Sequence, residues 1–587
     1  MVRSLFALLL LFIAAYSHAQ APTIQWQRSL SGSAYDIGRI ATHTTDGGYI
    51  VTGTTGSADG NVTGSNGNND FWIAKLNDTG ALQWQRALGG SGSDESLIIR
   101  QTADGGYITI GQTRSNDSDI IFTHGLADIW VVKLNDTGAI LWQKTYGGSS
   151  LDYGYSIMAT PSGGYIIAAS TYSTDGDITA NHGNYDAWIL KINDTGAIQW
   201  QRSYGGSNEE IATTITTTTD GGYIFAGQTQ SYNGDVSGNH GMFDYWVVKL
   251  NDTGGITWQK TLGGSGADNQ PWTIYQTPEG GYITAGFSQS TDGDVTGNHG
   301  GKDYWVVKLS SAGALEWQRS YGGSGDDWGR GMAPVIGGGY VLCGNSNSTD
   351  GDVTGNHGDY DFWILKIDDT GAIMWKQSYG GTGADNPFSL GQITDGGYIV
   401  AGQSSSNNGD VSGNHGNYDY WIVKLTCGFN AGVISGDTIV CTGTAVTLTD
   451  TTSGITWSLS NGHATISGST VTGISPGRDT VAATRTNYCG TAISTFAFTV
   501  SDCPVTGINT TAMSGIALFP NPTTGNVLIS GIAETTARVY NYMGQLLFTG
   551  NSSSGIDLSA YPDGLYLITI ADNMGKLLKQ ETIMKTR

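Results

Sequence analysis

Positive charge is scarce in this sequence. Its 587 residues include 27 Lys and Arg against 50 Asp and Glu, so the formal net charge is −23. A surface of this sign repels nucleic acid and anionic membranes, and it can attract divalent cations. We therefore expect an acidic, soluble, exported protein that has no nucleic-acid partner.

Long apolar runs are confined to the amino terminus. Residues 1–19 have the pattern of a secretory signal peptide: Arg3 supplies the charge, Leu5 to Ala15 the apolar core, and Ser17-His18-Ala19 a small-x-small cleavage site. The mature chain would then begin at Gln20. No later run is long and apolar enough to span a bilayer, so the sequence predicts export and no transmembrane segment.

Cysteine is rare as well. The chain has five cysteines, and their spacing does not match a zinc site. Cys343 lies in a strand-like run and is predicted to be a buried small apolar residue. Because an exported chain permits disulfides, we expect the pairs Cys441–Cys489 and Cys427–Cys503, although two other pairings of these four cysteines stay open.

Motifs of common catalytic centres are missing too. The sequence contains no glycine-rich phosphate loop, no nucleophile elbow and no H-E-x-x-H motif, so no catalytic residue is assigned. Charged residues make up only 13%, while 89 glycines stand at fixed places beside tryptophan and β-branched runs. This composition indicates an all-β protein dense in turns, not a disordered chain.

Tryptophan reveals an internal repeat. One series recurs every 58 residues, with a single spacing of 59: Trp26, Trp84, Trp142, Trp200, Trp258, Trp317 and Trp375. A second series keeps in step with it: Trp72, Trp130, Trp188, Trp246, Trp305, Trp363 and Trp421. A fixed period of this size indicates a solenoid, a propeller or an array.

Each period contains four strand-like runs, which is typical of a propeller blade. The first WQ strand, Ile24 to Leu30, has no DYW strand before it, and the last DYW strand, Tyr420 to Leu425, has no WQ strand after it. If these two pair, they complete a seventh blade and remove the unpaired edges. The sequence thus predicts a seven-bladed β-propeller over residues 20–426, closed by its N-terminal strand; an open solenoid of hairpins is the alternative.

The phasing of the repeat also assigns positions. The WQ strand becomes the outermost strand of each blade, and the strand after YGGSG the innermost. The DGG and NDTG turns lie on one face, and the long GDVTGNHG loops and YGGSG links lie on the other. Because binding residues usually sit on loops held by a rigid scaffold, we expect the ligand face on the long-loop side.

Two further domains are predicted after the propeller. Residues 427–503 contain VCTGTAVTLTD, ITWSLSNGHATIS, VTGISPG and TNYCGTA, and they resemble immunoglobulin-like domains of exported bacterial surface proteins. A small β-sandwich is implied. Residues 504–515 have the composition of a linker. The last module, residues 516–587, is predicted from its strand and turn pattern to be a second small β-sandwich.

The last module contains three specific sequence motifs: Pro520-Asn521-Pro522 with Gly525, Asn541 through Gly544, and Leu558 to Tyr566 with Gly564. With these residues it closely resembles the type A C-terminal sorting domain of the type IX secretion system of the Bacteroidetes. The resemblance implies that the secretion machinery is a partner of residues 516–587. It also implies passage across the outer membrane, followed by release or attachment to the cell surface.

The long loops offer a candidate calcium site. Closely spaced carboxylates on glycine-rich loops can bind calcium, although Asp side chains also form turns. The six histidines at the same loop position cannot gather around one atom, so we interpret them as loop-capping side chains. The possible calcium ligands are Asp175, Asp177, Asp292, Asp294, Asp350 and Asp352.

A second set of acids recurs at the start of each innermost strand, and the phasing places it around the mouth of the central channel. Sevenfold repetition favours a structural role, because a reaction centre needs unlike partners at one point. A binding site is expected where the blades differ, although these side chains could also plug the channel. The candidate ligand-binding residues are Tyr153, Tyr155, Glu209, Trp272, Asp327, Trp328, Arg330 and Phe388.

Three functions are compatible with these patterns. The preferred one is a secreted or cell-surface binding protein without catalytic activity, which presents a propeller face to a glycan or protein ligand. The first alternative is an extracellular enzyme acting on polysaccharide or peptide, with Asp327, Glu209 or Glu210 as acid–base groups. The second is a structural adhesin or matrix protein.

Overall fold

The structure is a computed structural model of the chain, and it contains no α-helix in the residues that it describes, which are 21–426, 432–450, 454–487, 490–502, 515–531, 535–541, 544–551 and 555–586. The chain divides into two units, Met1–Val500 and Ser501–Arg587. The predicted signal peptide, most of the predicted linker and the cysteines Cys427, Cys489 and Cys503 lie outside the described residues.

Seven four-stranded antiparallel sheets form the propeller. The innermost strands are β2 (Asp36–His43), β6 (Asp94–Gln101), β10 (Asp152–Ala159), β14 (Glu210–Thr217), β18 (Asp268–Gln276), β22 (Asp327–Pro334) and β26 (Asp385–Gln392). The second strands are β3 (Tyr49–Thr55), β7 (Tyr107–Thr113), β11 (Tyr165–Thr171), β15 (Tyr223–Thr229), β19 (Tyr282–Ser288), β23 (Tyr340–Ser346) and β27 (Tyr398–Ser404).

The remaining two strands of each blade are the tryptophan-bearing hairpin. The third strands are β4 (Asp70–Leu76), β8 (Asp128–Leu134), β12 (Asp186–Ile192), β16 (Asp244–Leu250), β20 (Asp303–Leu309), β24 (Asp361–Ile367) and β28 (Asp419–Thr426). The outermost strands are β5 (Leu82–Leu88), β9 (Ile140–Tyr146), β13 (Ile198–Tyr204), β17 (Ile256–Leu262), β21 (Leu315–Tyr321), β25 (Ile373–Tyr379) and β1 (Thr23–Leu30). Blades one to six follow chain order, and blade seven combines β26, β27, β28 and β1.

The ring is closed by the two ends of the repeat. Strand β1 pairs antiparallel with β28, from Thr23 opposite Thr426 to Leu30 opposite Tyr420. The Nε1 atom of Trp421 donates to Oε1 of Gln27 across this seam at 3.0 Å. The prediction of an all-β, seven-bladed propeller closed by its N-terminal strand is confirmed.

The propeller core lies between neighbouring blades. The tryptophan of every third strand is fully buried, and several of these rings pack on an aromatic ring of the adjacent blade. Trp72 of blade one lies 4.7 Å from Tyr420 of blade seven, measured between ring centroids. The half-buried tryptophan of an outermost strand packs likewise: Trp84 lies 5.9 Å from Tyr107 of blade two. The repeated tryptophans therefore join neighbouring blades together.

The residues after the propeller form two sheets that pack face to face around Val440, Leu448, Val471, Val481 and Phe498. One sheet has the order β30-β37-β36-β33 and the other β31-β35-β34, beside a small β29-β32 pair. The strands are β29 (Ile434–Ser435), β30 (Ile439–Cys441), β31 (Ala445–Thr447), β32 (Thr449–Asp450), β33 (Thr456–Leu459), β34 (Ala464–Ser467), β35 (Thr470–Gly473), β36 (Gly477–Asn487) and β37 (Gly490–Ser501).

This sandwich contacts the propeller face opposite the long loops. The N–H of Ile493 donates to the carbonyl oxygen of Thr394, at the DGG turn of blade seven, at 3.2 Å. Cys441 is disulfide-bonded, and Cys343 is a buried free thiol in the propeller.

The second unit has its own core, formed by Val527, Val539, Leu558, Ile568 and Ile583 among others. Its sheets have the orders β38-β39-β42 and β41-β40-β43-β44. The strands are β38 (Ala517–Phe519), β39 (Asn526–Ser530), β40 (Thr536–Asn541), β41 (Leu546–Asn551), β42 (Ile556–Asp557), β43 (Gly564–Ala571) and β44 (Leu577–Lys585).

Candidate functional site

The acids at the start of the innermost strands do not line the channel mouth, because all seven side chains are fully buried. They are Asp36, Asp94, Asp152, Glu210, Asp268, Asp327 and Asp385. The carboxylate of Asp327 accepts hydrogen bonds from the N–H of Gly323 at 2.8 Å and from the hydroxyl of Ser348 at 2.9 Å. These acids thus fasten the link between blades to the long loop, and Asp327 is not accessible to a ligand.

The residues beside these acids reach the channel mouth on the long-loop face. In blade three, Tyr153 stacks on Tyr185 with 6.1 Å between ring centroids. Tyr185 also packs on the exposed ring of Tyr172 at 5.1 Å. These three tyrosines form an aromatic cluster on one side of the mouth. Tyr172 and Tyr185 come from the long loop, so the innermost strand and the loop build this cluster together.

Trp328 occupies the opposite side of the seven-bladed ring, in blade six. Its ring packs on Phe287 at 4.8 Å, and the ammonium group of Lys302 lies 3.9 Å from the ring centroid. Lys302 also lies 3.4 Å from the carboxylate of Asp326. Cation–aromatic contacts of this kind hold the indole in place.

Two further charged groups lie close to the tyrosine cluster. The Nη2 atom of Arg114 donates to the hydroxyl oxygen of Tyr153 at 3.4 Å. Glu209 is half-buried, and burial raises the pKa of its carboxyl group, with a further increase from neighbouring Glu210. The mouth therefore combines aromatic surface with both cationic and acidic groups.

Below the mouth, the channel narrows to a neck. Tyr155 and Trp272 lie 6.5 Å apart between ring centroids, and a cavity of about 80 Å³ is lined by these two rings together with Arg39, Arg330 and Phe388. A larger cavity of about 370 Å³ continues toward the opposite face. Four of the predicted site residues thus pack against one another inside the channel.

The sequence reasoning missed several residues of this region, among them Arg39, Gln270, Lys302, Arg114, Tyr172 and Tyr185. Arg39 stands at the same repeat position as Arg330, three residues after the buried acid, so the rule that blades differ at a site would have found it. Gln270 belongs to a bulge in β18, and it accepts a hydrogen bond from Nη1 of Arg330 at 2.9 Å. Lys302 stands directly before the third strand, at the repeat position that Tyr185 occupies in blade three, so the same rule would have found both.

The acids of the long loops bind backbone groups of the links. Asp292 accepts from the N–H of Ser265 at 2.7 Å and Asp294 from the N–H of Gly263 at 3.3 Å. Three of the other predicted calcium ligands follow the same pattern: Asp175, Asp177 and Asp350 accept from the N–H groups of Ser149, Gly147 and Ser324. For Asp352 the contact is between backbone groups, because its N–H donates to the carbonyl oxygen of Gly322 at 2.8 Å. In the described residues no three His, Cys, Asp or Glu side chains are grouped so that they could hold a metal ion. A calcium site therefore remains a prediction.

The repeated histidines cap their loops. Each Nδ1 atom lies 2.6–2.9 Å from the carboxylate of the aspartate four residues later. The backbone N–H of each histidine also donates to that carboxylate, for example from His240 to Asp244 at 2.8 Å. The residues concerned are His124, His182, His240, His299, His357 and His415.

Comparison with known protein families decides the destination of the chain. Residues 517–584 match the model of the secretion system C-terminal sorting domain. The chain carries a type IX sorting domain. The protein is accordingly exported to the cell surface or secreted, and the secretion machinery is the partner of this domain. The described residues contain no helix that is long and apolar enough to span a membrane.

Similarity to other proteins is weak over the rest of the chain. No curated protein sequence matches it. A puromycin hydrolase mutant is 11% identical with a TM-score of 0.38, over 65% of this chain and 52% of that one. A copper-bound fungal alcohol oxidase of the AA5 family is 11% identical with a TM-score of 0.36, over 97% and 100%.

PorZ of Porphyromonas gingivalis, a surface component of the type IX secretion system, is 11% identical with a TM-score of 0.24, over 95% of this chain and 71% of that chain. Propellers host many unrelated activities, so similarity at this level assigns no function to this chain.

Proposed function

We propose that this exported protein binds a glycan, without catalysis, at the long-loop mouth of its propeller. The observation that supports the proposal is the pair of aromatic groups on opposite sides of the mouth. The tyrosine cluster of Tyr153, Tyr172 and Tyr185 stands opposite Trp328. Sugar rings have apolar faces that stack on aromatic side chains, while their hydroxyl groups need polar partners such as those beside the cluster.

Two of the three acids considered for catalysis are already hydrogen-bonded inside the propeller, which supports binding of a ligand rather than its turnover. Glycoside hydrolysis uses two carboxyl groups that flank the scissile bond. Asp327 and Glu210 are fully buried, and both bind the links between blades. Of the three acids considered for catalysis, only Glu209 is left at the mouth, and one of them alone does not make this pair.

One observation favours the enzyme as a second candidate. Burial raises the pKa of the Glu209 carboxyl group, and a raised carboxyl pKa is also found in general acids. An enzyme would require Glu209 together with a partner carboxylate supplied when the substrate binds. Loss of turnover in Glu209→Gln with retained binding would identify this case.

The experiment is a glycan panel against the full chain, scored for both binding and product formation. We expect binding without product, and a loss of at least tenfold in affinity for Tyr153→Ala and for Trp328→Ala. Tyr232→Ala is the matched control, because this tyrosine is exposed on a long loop of blade four. Product formation would overturn the proposal, and absence of any glycan binding would favour the structural adhesin.

A further inference from the structure

Two arginines face the neck of the channel from different blades. Arg39 lies on β2 of blade one and Arg330 on β22 of blade six. Both approach one aromatic ring: their Cζ atoms lie 4.5 Å and 5.7 Å from the ring centroid of Phe388. Arg330 also lies 5.0 Å from the ring centroid of Trp328, so it connects the neck with the mouth.

The positive charges of this arginine pair are not neutralised by a salt bridge. Among the described residues, no Asp or Glu oxygen lies within 4.0 Å of either guanidinium. The Nε atoms of Arg39 and Arg330 are buried and make no hydrogen bond. Glu95 acts on Arg39 only at longer range. In a chain of net charge −23, two unpaired cations at one point are unexpected.

Electrostatics agree with this geometry. The pKa of Arg330 is lowered to about 10, mainly by burial and to a smaller extent by repulsion from the charge of Arg39. A buried cation without a counterion costs free energy, and an incoming anion would remove that cost. The neck is therefore complementary to a negative group.

Local backbone structure also builds the neck. The one spacing of 59 in the tryptophan repeat comes from an extra residue in blade five, where β18 has an irregular register between Asn269 and Thr273. At this bulge Gln270 has φ of 56°, a left-handed conformation that is uncommon for residues other than glycine. The bulge places the Gln270 amide on Arg330 and the indole of Trp272 in the neck cavity.

The size of the cavity limits what can enter. It measures about 80 Å³, which corresponds to roughly two or three water molecules at ~30 Å³ each in the liquid. A carboxylate group, with three heavy atoms, fits this space. The flat fork of an arginine matches the two oxygens of a carboxylate, so two arginines can bind the group from two sides.

We propose that the arginine pair Arg39–Arg330 binds the carboxylate of an acidic sugar whose ring packs at the mouth. The ligand class is thus a glycan containing uronic acid. This inference rests on the proposed function and specifies its ligand. An acidic sugar is favoured over an acidic peptide because its carboxylate is attached directly to a ring, and Arg330 lies 5.0 Å from the ring centroid of Trp328 at the mouth.

The test compares matched probes on the full chain by calorimetry. The probes are trigalacturonate, its carboxyl-reduced neutral trimer, a sulfated neutral trimer and triglutamate. We expect trigalacturonate to bind at least tenfold more tightly than the neutral trimer, which is about 1.4 kcal/mol. Arg39→Met and Arg330→Met should each abolish this preference while the affinity for the neutral trimer stays unchanged.

Arg100→Met is the control variant. Arg100 also faces the channel, but it donates to the carbonyl oxygen of Ile157 and lines the cavity toward the opposite face. Its replacement should leave the preference intact. If the methionine variants fail to fold, Arg39→Lys and Arg330→Lys take their place. A lysine keeps the positive charge and loses the two-pronged guanidinium, so we expect an intermediate preference for the acidic trimer.

Equal affinity for the acidic and neutral trimers would overturn the inference and leave glycan binding standing. Tighter binding of triglutamate, or of the sulfated trimer, than of trigalacturonate would overturn it as well. If no sugar probe binds, the inference and the proposed function both fail. These outcomes are measured on the unaltered protein, so they do not depend on the folding of any variant.

Discussion

The Nδ1 atom of His299 lies 2.6 Å from the Oδ2 atom of Asp303, four residues further along the chain. The other oxygen of this carboxylate, Oδ1, is buried and makes no hydrogen bond in the structure. Burial raises the pKa of Asp303 to about 6, and the hydrogen bonds from His299 counteract only part of that increase. An aspartate occupies this position in every blade. Protonation of these buried carboxyl groups is therefore coupled to the free energy of unfolding of the propeller.

We predict that mild acid stabilises the propeller. The pKa values of Asp244, Asp303 and Asp385 are raised to about 6 in the folded chain, from a value of 3.8 in the unfolded chain. Between these values the folded state binds more protons, so the free energy of unfolding should rise as the pH falls from 7 toward 4. Urea denaturation at pH 7, 5 and 4 measures this. A steady fall in stability over that range would contradict it.

Strong acid should reverse this gain. Lysine partners and local hydrogen bonds lower the pKa of Asp46, Asp104 and Asp220 to about 2. The stability from these pairs is present above the unfolded pKa and is lost as the pH falls through about 2. Asp244→Asn is the control variant for the mild-acid prediction. It removes one of the carboxyl groups whose pKa is raised, so the free energy of unfolding should rise less between pH 7 and pH 5.

Removing a buried link acid should destabilise the propeller. In Asp327→Ala the N–H of Gly323 and the hydroxyl of Ser348 lose their acceptor. We expect the free energy of unfolding to fall by about 2 kcal/mol or more. The exposed Asp359→Ala on the same face should change it by about 0.5 kcal/mol or less. Equal effects in chemical denaturation would show that Asp327 does not anchor the link.

Breaking the seam should open the ring. Gln27→Pro removes a donor opposite Val423 and the acceptor of the Trp421 indole. Gln201→Pro makes the same change in the outermost strand of blade three, which stays covalently joined to its neighbour. We expect a larger fall in melting temperature, and oligomers on size-exclusion chromatography, only for Gln27→Pro, because it exposes a strand edge. Matching behaviour of the two variants would argue against closure as a special contribution.

Calcium removal gives a direct test of the acidic loops. The carboxylate of Asp292 already accepts the N–H of Ser265, and this hydrogen bond lowers its pKa. We expect the melting temperature to be the same with chelator and with millimolar calcium chloride. A rise of several degrees with calcium, lost in Asp292→Ala together with Asp294→Ala, would establish the calcium site predicted from the sequence.

Deletion of the last module should stop export at the outer membrane. A chain ending before residue 516 lacks the sorting domain matched at 517–584. In a host with this secretion system, we expect the truncated chain to be missing from the cell surface and the culture medium, by protease accessibility and immunoblotting. Appearance of the truncated chain outside the cell would mean that another part of the protein directs its passage.

Sequence periodicity determined most of the architecture. The spacing of the tryptophans, with half a hairpin at each end, is enough to predict seven blades and their closure, because strand patterning and turn chemistry are local properties. The sequence motif around Pro520 and Gly525 likewise identifies the sorting module, as the family match to residues 517–584 confirms.

Only the tertiary structure decided where the site lies and which acids it contains. The pattern placed Asp327 at the channel mouth, but the direction of a side chain at a strand end depends on the loop that covers it. That loop encloses Asp327 and leaves Trp328 at the mouth. The pairing of Arg39 with Arg330 was hidden for a related reason: the two residues belong to blades one and six, and only closure of the ring brings their charges to one aromatic ring.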